Sequence, residues 1–200
     1  MLFIYFSVII WYNLYCIKYF DGGEIMYKNK KIFILGMARS GYEVAKLLAP
    51  DNKILITDVK PQDNDKVKEL EGIGVEFILS DKPDDFFDDS YDIMIKNPSI
   101  KYDHKCVVKA KNMGIPVVNE IEVAYHYLNK DINIIGVTGS NGKTTTTSII
   151  YEIMKRAFGD KVVLAGNIGT PLCHYVKNIK SGDYLVMEIS DHQLCDMYDF

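Results

Sequence analysis

Short runs of β-branched and aliphatic residues alternate along this chain with stretches in which apolar positions recur every three or four residues. The first pattern predicts strands, since a strand buried on both faces reads as a continuous apolar run; the second predicts amphipathic helices. Residues 31–35 read as a strand, Val44, Ala45, Leu47 and Leu48 mark a helix, and 53–57 form a second strand. Further strands are expected at 74–79, 91–95 and 115–118, then a helix over 120–128. Asn129-Lys130-Asp131 is a polar break. A strand at 132–137 follows, then a helix carrying Ile149, Ile150, Ile153, Met154 and Ala157, and strands at 161–164 and 184–188. Strand and helix units in this alternation predict an α/β fold with mostly parallel sheets.

The first twenty residues do not share this pattern. Residues 1–20 are almost wholly apolar and aromatic, with Lys18 the only charge. Such a stretch is long enough to span a bilayer, and Lys28, Lys30 and Lys31 behind it would keep the following domain cytoplasmic. A signal peptide fits less well, because a basic start and a small-residue cleavage site are missing. The favoured reading is that translation begins at Met26 and that 1–25 is a spurious leader: codons for Asp21-Gly22-Gly23-Glu24 can spell a purine-rich ribosome-binding stretch.

Composition narrows the picture only a little. A net charge of −4, with no basic run interleaved with aromatics, excludes a nucleic-acid surface as the organising feature. Cys16, Cys106, Cys173 and Cys195 are scattered without ligand spacing, as free thiols in a reducing cytoplasm would be. His126 lies among aromatics on an expected helix, His104 and His174 have no partner at ligand spacing, and all three read as structural or surface residues. The aspartate-rich stretch 81–92 reads as a solvated loop with a short helix.

The chemistry concentrates after the polar break. The strand at 132–137 runs into a loop holding Gly139 and Gly142, followed at once by Lys143 and Thr144 and a helix. Strand, glycine loop, Lys-Thr and helix are the parts of a phosphate-binding loop. Glycines let backbone N–H groups turn towards phosphate oxygens, the helix N-terminus adds positive potential, and the lysine reaches the terminal phosphates. A hydroxyl such as that of Thr144 suits Mg²⁺, which takes hard oxygen donors. The general pattern places its first glycine at Val137, whereas the glycines here are Gly136 and Gly139. Downstream, Gly166-Asn167-Ile168-Gly169 suits a backbone that approaches a ligand closely. Glu188 ends an apolar strand, where an acidic group in phosphate-loop enzymes helps to hold Mg²⁺.

The first βαβ unit carries a second, weaker signal. Gly36-Met37-Ala38-Arg39-Ser40-Gly41 stands between strand and helix as in a dinucleotide fold, but Ala38 replaces the middle glycine. Asp58 ends the second strand, where a carboxylate meets a ribose or base edge or simply caps a turn before Pro61. Asn97-Pro98-Ser99 closes another strand at the carboxyl edge, where open α/β sheets bind ligands. We therefore expect a Rossmann-like domain over residues 26–130 and a phosphate-loop ATPase-type α/β domain, incomplete, over 131–200.

Taken in order, GMARSG, KNPSI, GSNGKTT, AGNIGTP and MEISDHQL resemble the Mur ligase family over about residues 31–193. The pairing of the 36–41 loop with Gly-Asn-Ile-Gly points to its D-glutamate-adding branch. The resemblance implies an ATP-dependent ligase of peptidoglycan precursor synthesis, in which ATP phosphorylates the alanine carboxylate of UDP-N-acetylmuramoyl-L-alanine and the amine of D-glutamate attacks the acyl phosphate. It implies that Gly36, Met37, Ala38, Arg39, Ser40 and Gly41 receive the UDP diphosphate. Asp58 would then face the uracil, and Asn97, Pro98 and Ser99 would lie along the nucleotide sugar. Gly139, Ser140, Asn141, Gly142, Lys143, Thr144 and Thr145 would cradle ATP. Thr144 and Glu188 would stand around Mg²⁺, Asn167 would touch both substrate and transferring phosphate, and Lys143, Asn167 and Glu188 would be the catalytic set.

The chain departs from the family at two places. Ser99 replaces a usual glycine, and Asp191-His192 stands where Ser-Phe is commoner; we read these two as adjacent residues of a strand end that point apart. The family's later metal-binding histidine, modified lysine and D-glutamate domain lie outside this sequence. The expectation is therefore a nucleotide-binding fragment that does not catalyse alone. The competing readings are a stand-alone nucleotide-binding or regulatory module, another Mur ligase, and an NAD oxidoreductase, the last opposed by Ala38 and by the second loop.

Overall fold

The computed structural model describes residues 27–200; the expectations for residues 1–25 and for a start at Met26 fall outside them. Two parallel sheets organise the chain. The first contains β1 (Lys31–Leu35), β2 (Lys53–Asp58), β3 (Glu76–Leu79), β4 (Ile93–Lys96) and β5 (Val117–Val118) in the order β3-β2-β1-β4-β5. The order reverses at β1, which opens a crevice between the carboxyl ends of β1 and β4. Helices α1 (Ala38–Leu48), α2 (Asn64–Gly72) and α3 (Lys105–Asn112) are the crossovers that parallel pairing requires.

Helix α4 (Glu120–Tyr127) leads to the second sheet, of β6 (Asn133–Val137), β7 (Val162–Gly166) and β8 (Tyr184–Glu188), ordered β6-β8-β7. Helix α5 (Lys143–Phe158) joins β6 to β7, and a short helix α6 (Asp191–Leu194) follows β8. The register aligns Val137, Glu188 and Gly166 side by side. Three strand ends thus open onto one edge.

Three expectations are corrected. Helix α1 begins at Ala38, so Arg39, Ser40 and Gly41 lie in its first turn and not in a loop. Asp191 and His192 lie in helix α6 and not on a strand end. There the Ser190 hydroxyl accepts the Gln193 N–H while the Gln193 side chain accepts the Ser190 N–H, a capping box. The stretch 81–92 is only partly solvated, because Phe87 and Tyr91 are buried, stacked on each other and edge-on to Phe33. Apolar burial there outweighs the local density of aspartates.

One apolar cluster runs through both sheets, from Ile32, Ile34 and Ile56 through Val123 and Ala124 to Leu172, Leu185 and Met187. Polar ties cross the same boundary. The Asn119 amide donates to Gln193 O, and Glu120 accepts the Cys173 N–H. Burial pushes the Glu120 carboxyl up to about 7, only partly opposed by the bond from Cys173. An unfolded chain loses this proton near about 4.3, so between the two values the folded state holds more protons. Stability therefore falls as pH rises through that window and levels off above it. Glu120→Gln keeps the acceptor and removes the charge. At about pH 8 it is expected to stabilise by on the order of 3 kcal/mol, a rise of several degrees in melting temperature, with little change at about pH 4.5. Melting curves at the two pH values check this; an equal effect at both contradicts it.

Candidate functional site

The loop after β6 turns twice through backbone that favours glycine, with φ 146° at Gly139 and 75° at Gly142. Gly142 is the residue before helix α5, so the first N–H groups of that helix, at the loop, have no carbonyl partner within the helix. Lys143 folds back over this loop, its Nζ donating to Gly139 O at 2.6 Å with Ser140 O at 3.5 Å. Ser140, Asn141 and Thr145 are exposed along the same turn.

Glu188 gathers the rest. It is 2% exposed at the end of the central strand β8. The Thr144 hydroxyl donates to its Oε2 at 2.6 Å, and the Asn167 amide donates to its Oε1 at 2.7 Å. Gly166 permits the approach: with φ 98°, a Cβ there would stand 2.3 Å from Glu188 O. The Asn167 N–H then donates to that same carbonyl at 2.8 Å. Three separated stretches of sequence thus meet on one carboxylate, which together with the Thr144 hydroxyl and the Asn167 amide offers hard oxygen donors. This donor set fits Mg²⁺.

The turn after β1 forms a second cluster. Gly36 takes φ 85°, and Gly41 packs so closely that a Cβ would stand 2.4 Å from Gly36 O. Ala38 takes φ 34°, strained for any residue with a Cβ, where the dinucleotide pattern has glycine. Asp58 is part of this turn's frame, since its Oδ2 accepts the Met37 N–H at 2.9 Å and its Oδ1 accepts the Lys60 N–H at 3.0 Å. Across the crevice the Asn97 amide donates to Ser40 Oγ at 3.0 Å, and the Asn97 Oδ1 accepts both the N–H and the hydroxyl of Ser99. Pro98 stands between them.

Arg39 was expected on a diphosphate, yet here its guanidinium donates to Gly169 O at 2.8 Å. It joins the first cluster to the Gly-Asn-Ile-Gly loop of the second. Sequence reading missed this link and the buried pair Lys96–Asp196, 2.9 Å apart. It also missed helix α6, which the Ser190-x-x-Gln193 spacing signals. Among the described residues no helix is long and apolar enough to cross a membrane, and Cys106, Cys173 and Cys195 are free thiols.

Residues 137–199 match the model of the Mur ligase middle domain. The UDP-N-acetylmuramoylalanine–D-glutamate ligase of Geobacillus sp. (strain WCH70) is 41% identical over 177 residues, covering 87% of this chain and 38% of that protein. The ligase of the same name from Streptococcus sanguinis (strain SK36) is 40% identical with the same coverage. The chain thus spans 38% of the length of these curated relatives. Among solved structures, the UDP-N-acetylmuramate-alanine ligase MurC from Thermotoga maritima gives a TM-score of 0.44 at 20% identity, over 81% of this chain and 37% of that one; so loose a likeness adds no argument. With the family's middle domain matched at the phosphate loop and the D-glutamate ligases matched across both sheets, the chain belongs to the Mur ligase family.

Proposed function

We propose that this chain is part of a cytoplasmic ligase that uses ATP and Mg²⁺ to join D-glutamate to UDP-N-acetylmuramoyl-L-alanine, with residues 26–130 binding the UDP substrate and 131–200 starting the ATP domain. One observation carries the reading: the Thr144–Glu188–Asn167 cluster stands beside a glycine loop that holds a lysine. A carboxylate is a poor electrophile until phosphorylation gives its acyl carbon a phosphate leaving group, and positive groups stabilise the charge that develops during transfer. Lys143 exchanges its loop carbonyls for phosphate oxygens. Gly139 to Thr145 cradle the nucleotide, and Thr144 with Glu188 would hold Mg²⁺, which supplies charge neutralisation on the phosphates when bound. Asn167, held by Glu188, would contact both the substrate and the transferring phosphate.

On the other side, the turn from Gly36 to Gly41 offers a helix N-terminus to the diphosphate. Asp58 keeps lone pairs for a uracil N–H after bonding Met37, and Asn97 to Ser99 line the sugar. The reading includes no nucleic-acid partner, and a membrane only if residues 1–20 are translated. Thermal denaturation with added ligand tests the assignment. UDP-N-acetylmuramoyl-L-alanine at a hundred times its Kd is expected to stabilise the chain by about 2.7 kcal/mol. A response to NAD with none to the UDP precursor would sink the ligase reading.

A further inference from the structure

Helix α4 carries Glu122 and His126 one turn apart, so both side chains share a face. Glu122 is fully buried, and its carboxylate oxygens accept the backbone N–H groups of Tyr198 and Asp199, each at 3.0 Å. Those bonds bring the Asp199 side chain to the helix. His126 Nε2 then lies 3.5 Å from Glu122 Oε1 and 3.2 Å from Asp199 Oδ2. Three donor atoms from two distant parts of the chain fall within 4.8 Å of one another.

The hydrogen bonding around this cluster is incomplete. The His126 side chain is only 10% exposed, and its Nε2 meets neither carboxylate in hydrogen-bond geometry. Tyr27 packs edge-on against the same ring with centroids 5.5 Å apart, and its hydroxyl is also buried without a hydrogen-bond partner. Buried polar atoms are almost always paired. An unpartnered imidazole nitrogen between two carboxylates asks for a further group.

We propose that Glu122, His126 and Asp199 form a binding site for a divalent transition-metal ion of the zinc class. Ligand atoms about 2.0–2.1 Å from one tetrahedral ion stand about 3.3 Å apart, and the two histidine-to-carboxylate separations here are 3.2 and 3.5 Å. One imidazole and two carboxylates leave a fourth position for water. Imidazole favours zinc-like ions over Mg²⁺, which prefers oxygen and retains its waters. The ion takes up the unpartnered Nε2, offsets two negative charges at close range, and fastens residues 198–199 to helix α4. It is separate from the Thr144–Glu188 pair at the carboxyl end of β8.

Co²⁺ is the probe, because its visible absorption strengthens in a four-coordinate site. Titrated into the whole 200-residue chain without nucleotide, it is expected to saturate at one ion per chain and to be displaced by Zn²⁺ but not by excess Mg²⁺. The signal is expected to survive Glu188→Gln and to vanish in His126→Gln and in Asp199→Asn. Asp199 is half exposed, so Asp199→Asn keeps the fold and decides the matter alone if His126→Gln does not. Absence of a saturable signal, its survival in Asp199→Asn, or its loss in Glu188→Gln overturns the proposal.

Discussion

Asp196→Ala is expected to destabilise the folded chain by about 3–5 kcal/mol, a fall of roughly 10 °C in melting temperature. The cause is the lysine left behind. Lys96 ends β4 with its side chain fully buried, and Asp196, after helix α6, is 2% exposed. The ammonium lies 2.9 Å from Asp196 Oδ2, donates to Ile100 O at 2.9 Å, and stands 4.9 Å from the centre of the Tyr102 ring. Burial pushes the Asp196 carboxyl up from its ordinary value, and the Lys96 charge works against that shift. The pair is therefore costly to bury and costlier to break, because a lone ammonium in that place has one carbonyl and one ring face to replace water. Replacing both partners, as Lys96→Met with Asp196→Leu, is expected to cost much less than Asp196→Ala alone, since no charge then remains to be desolvated. Melting curves of the single and double variants check this. A double variant as unstable as Asp196→Ala would mean that packing, and not the stranded charge, sets the loss.

That pair also shows where sequence reading stops. The strands of both sheets and helix α5 were legible because their apolar runs and helical spacing are local patterns. The phosphate loop was legible for the same reason, as its parts are contiguous from β6 to Thr145. The convergence of Thr144 and Asn167 on Glu188 was readable only as three strand-end or loop signals; parallel register in the β6-β8-β7 sheet is what brings them to one point. Lys96 and Asp196 carry no such pattern. A lysine closing a strand gives no local sign of burial, and its partner comes from the far end of the chain. His126 read as a structural residue because it lies among aromatics on a helix, and the fold supplies Asp199 from the other sheet's side. Phe87 and Tyr91 were hidden among aspartates, and only the fit against Phe33 shows that they are core.

Lys143→Ala is expected to abolish stabilisation by Mg-ATP while leaving the free chain's melting temperature nearly unchanged. In the free chain the Lys143 side chain is partly exposed and bonds only to loop carbonyls, Gly139 O and Ser140 O. Removing a surface group of that kind changes stability by about 0.5 kcal/mol or less. Bound nucleotide changes the balance. Phosphate oxygens offer the ammonium full negative charge in place of carbonyl dipoles, and charge-assisted bonds of this kind are about twice as strong as neutral ones. ATP at a hundred times its Kd adds about 2.7 kcal/mol, which a chain of this size registers as a rise of several degrees. The lysine is the one cationic side chain in the turn from Gly139 to Thr145, so its loss leaves the phosphates only backbone N–H groups and the helix N-terminus. Glu188→Gln makes the companion measurement. It keeps an acceptor for Thr144 but removes the charge that a divalent cation needs, so the response to ATP should lose its dependence on Mg²⁺. An unaltered Mg-ATP response in Lys143→Ala would remove this loop as the nucleotide site, whatever its resemblance, because no other group in the turn could replace the charge.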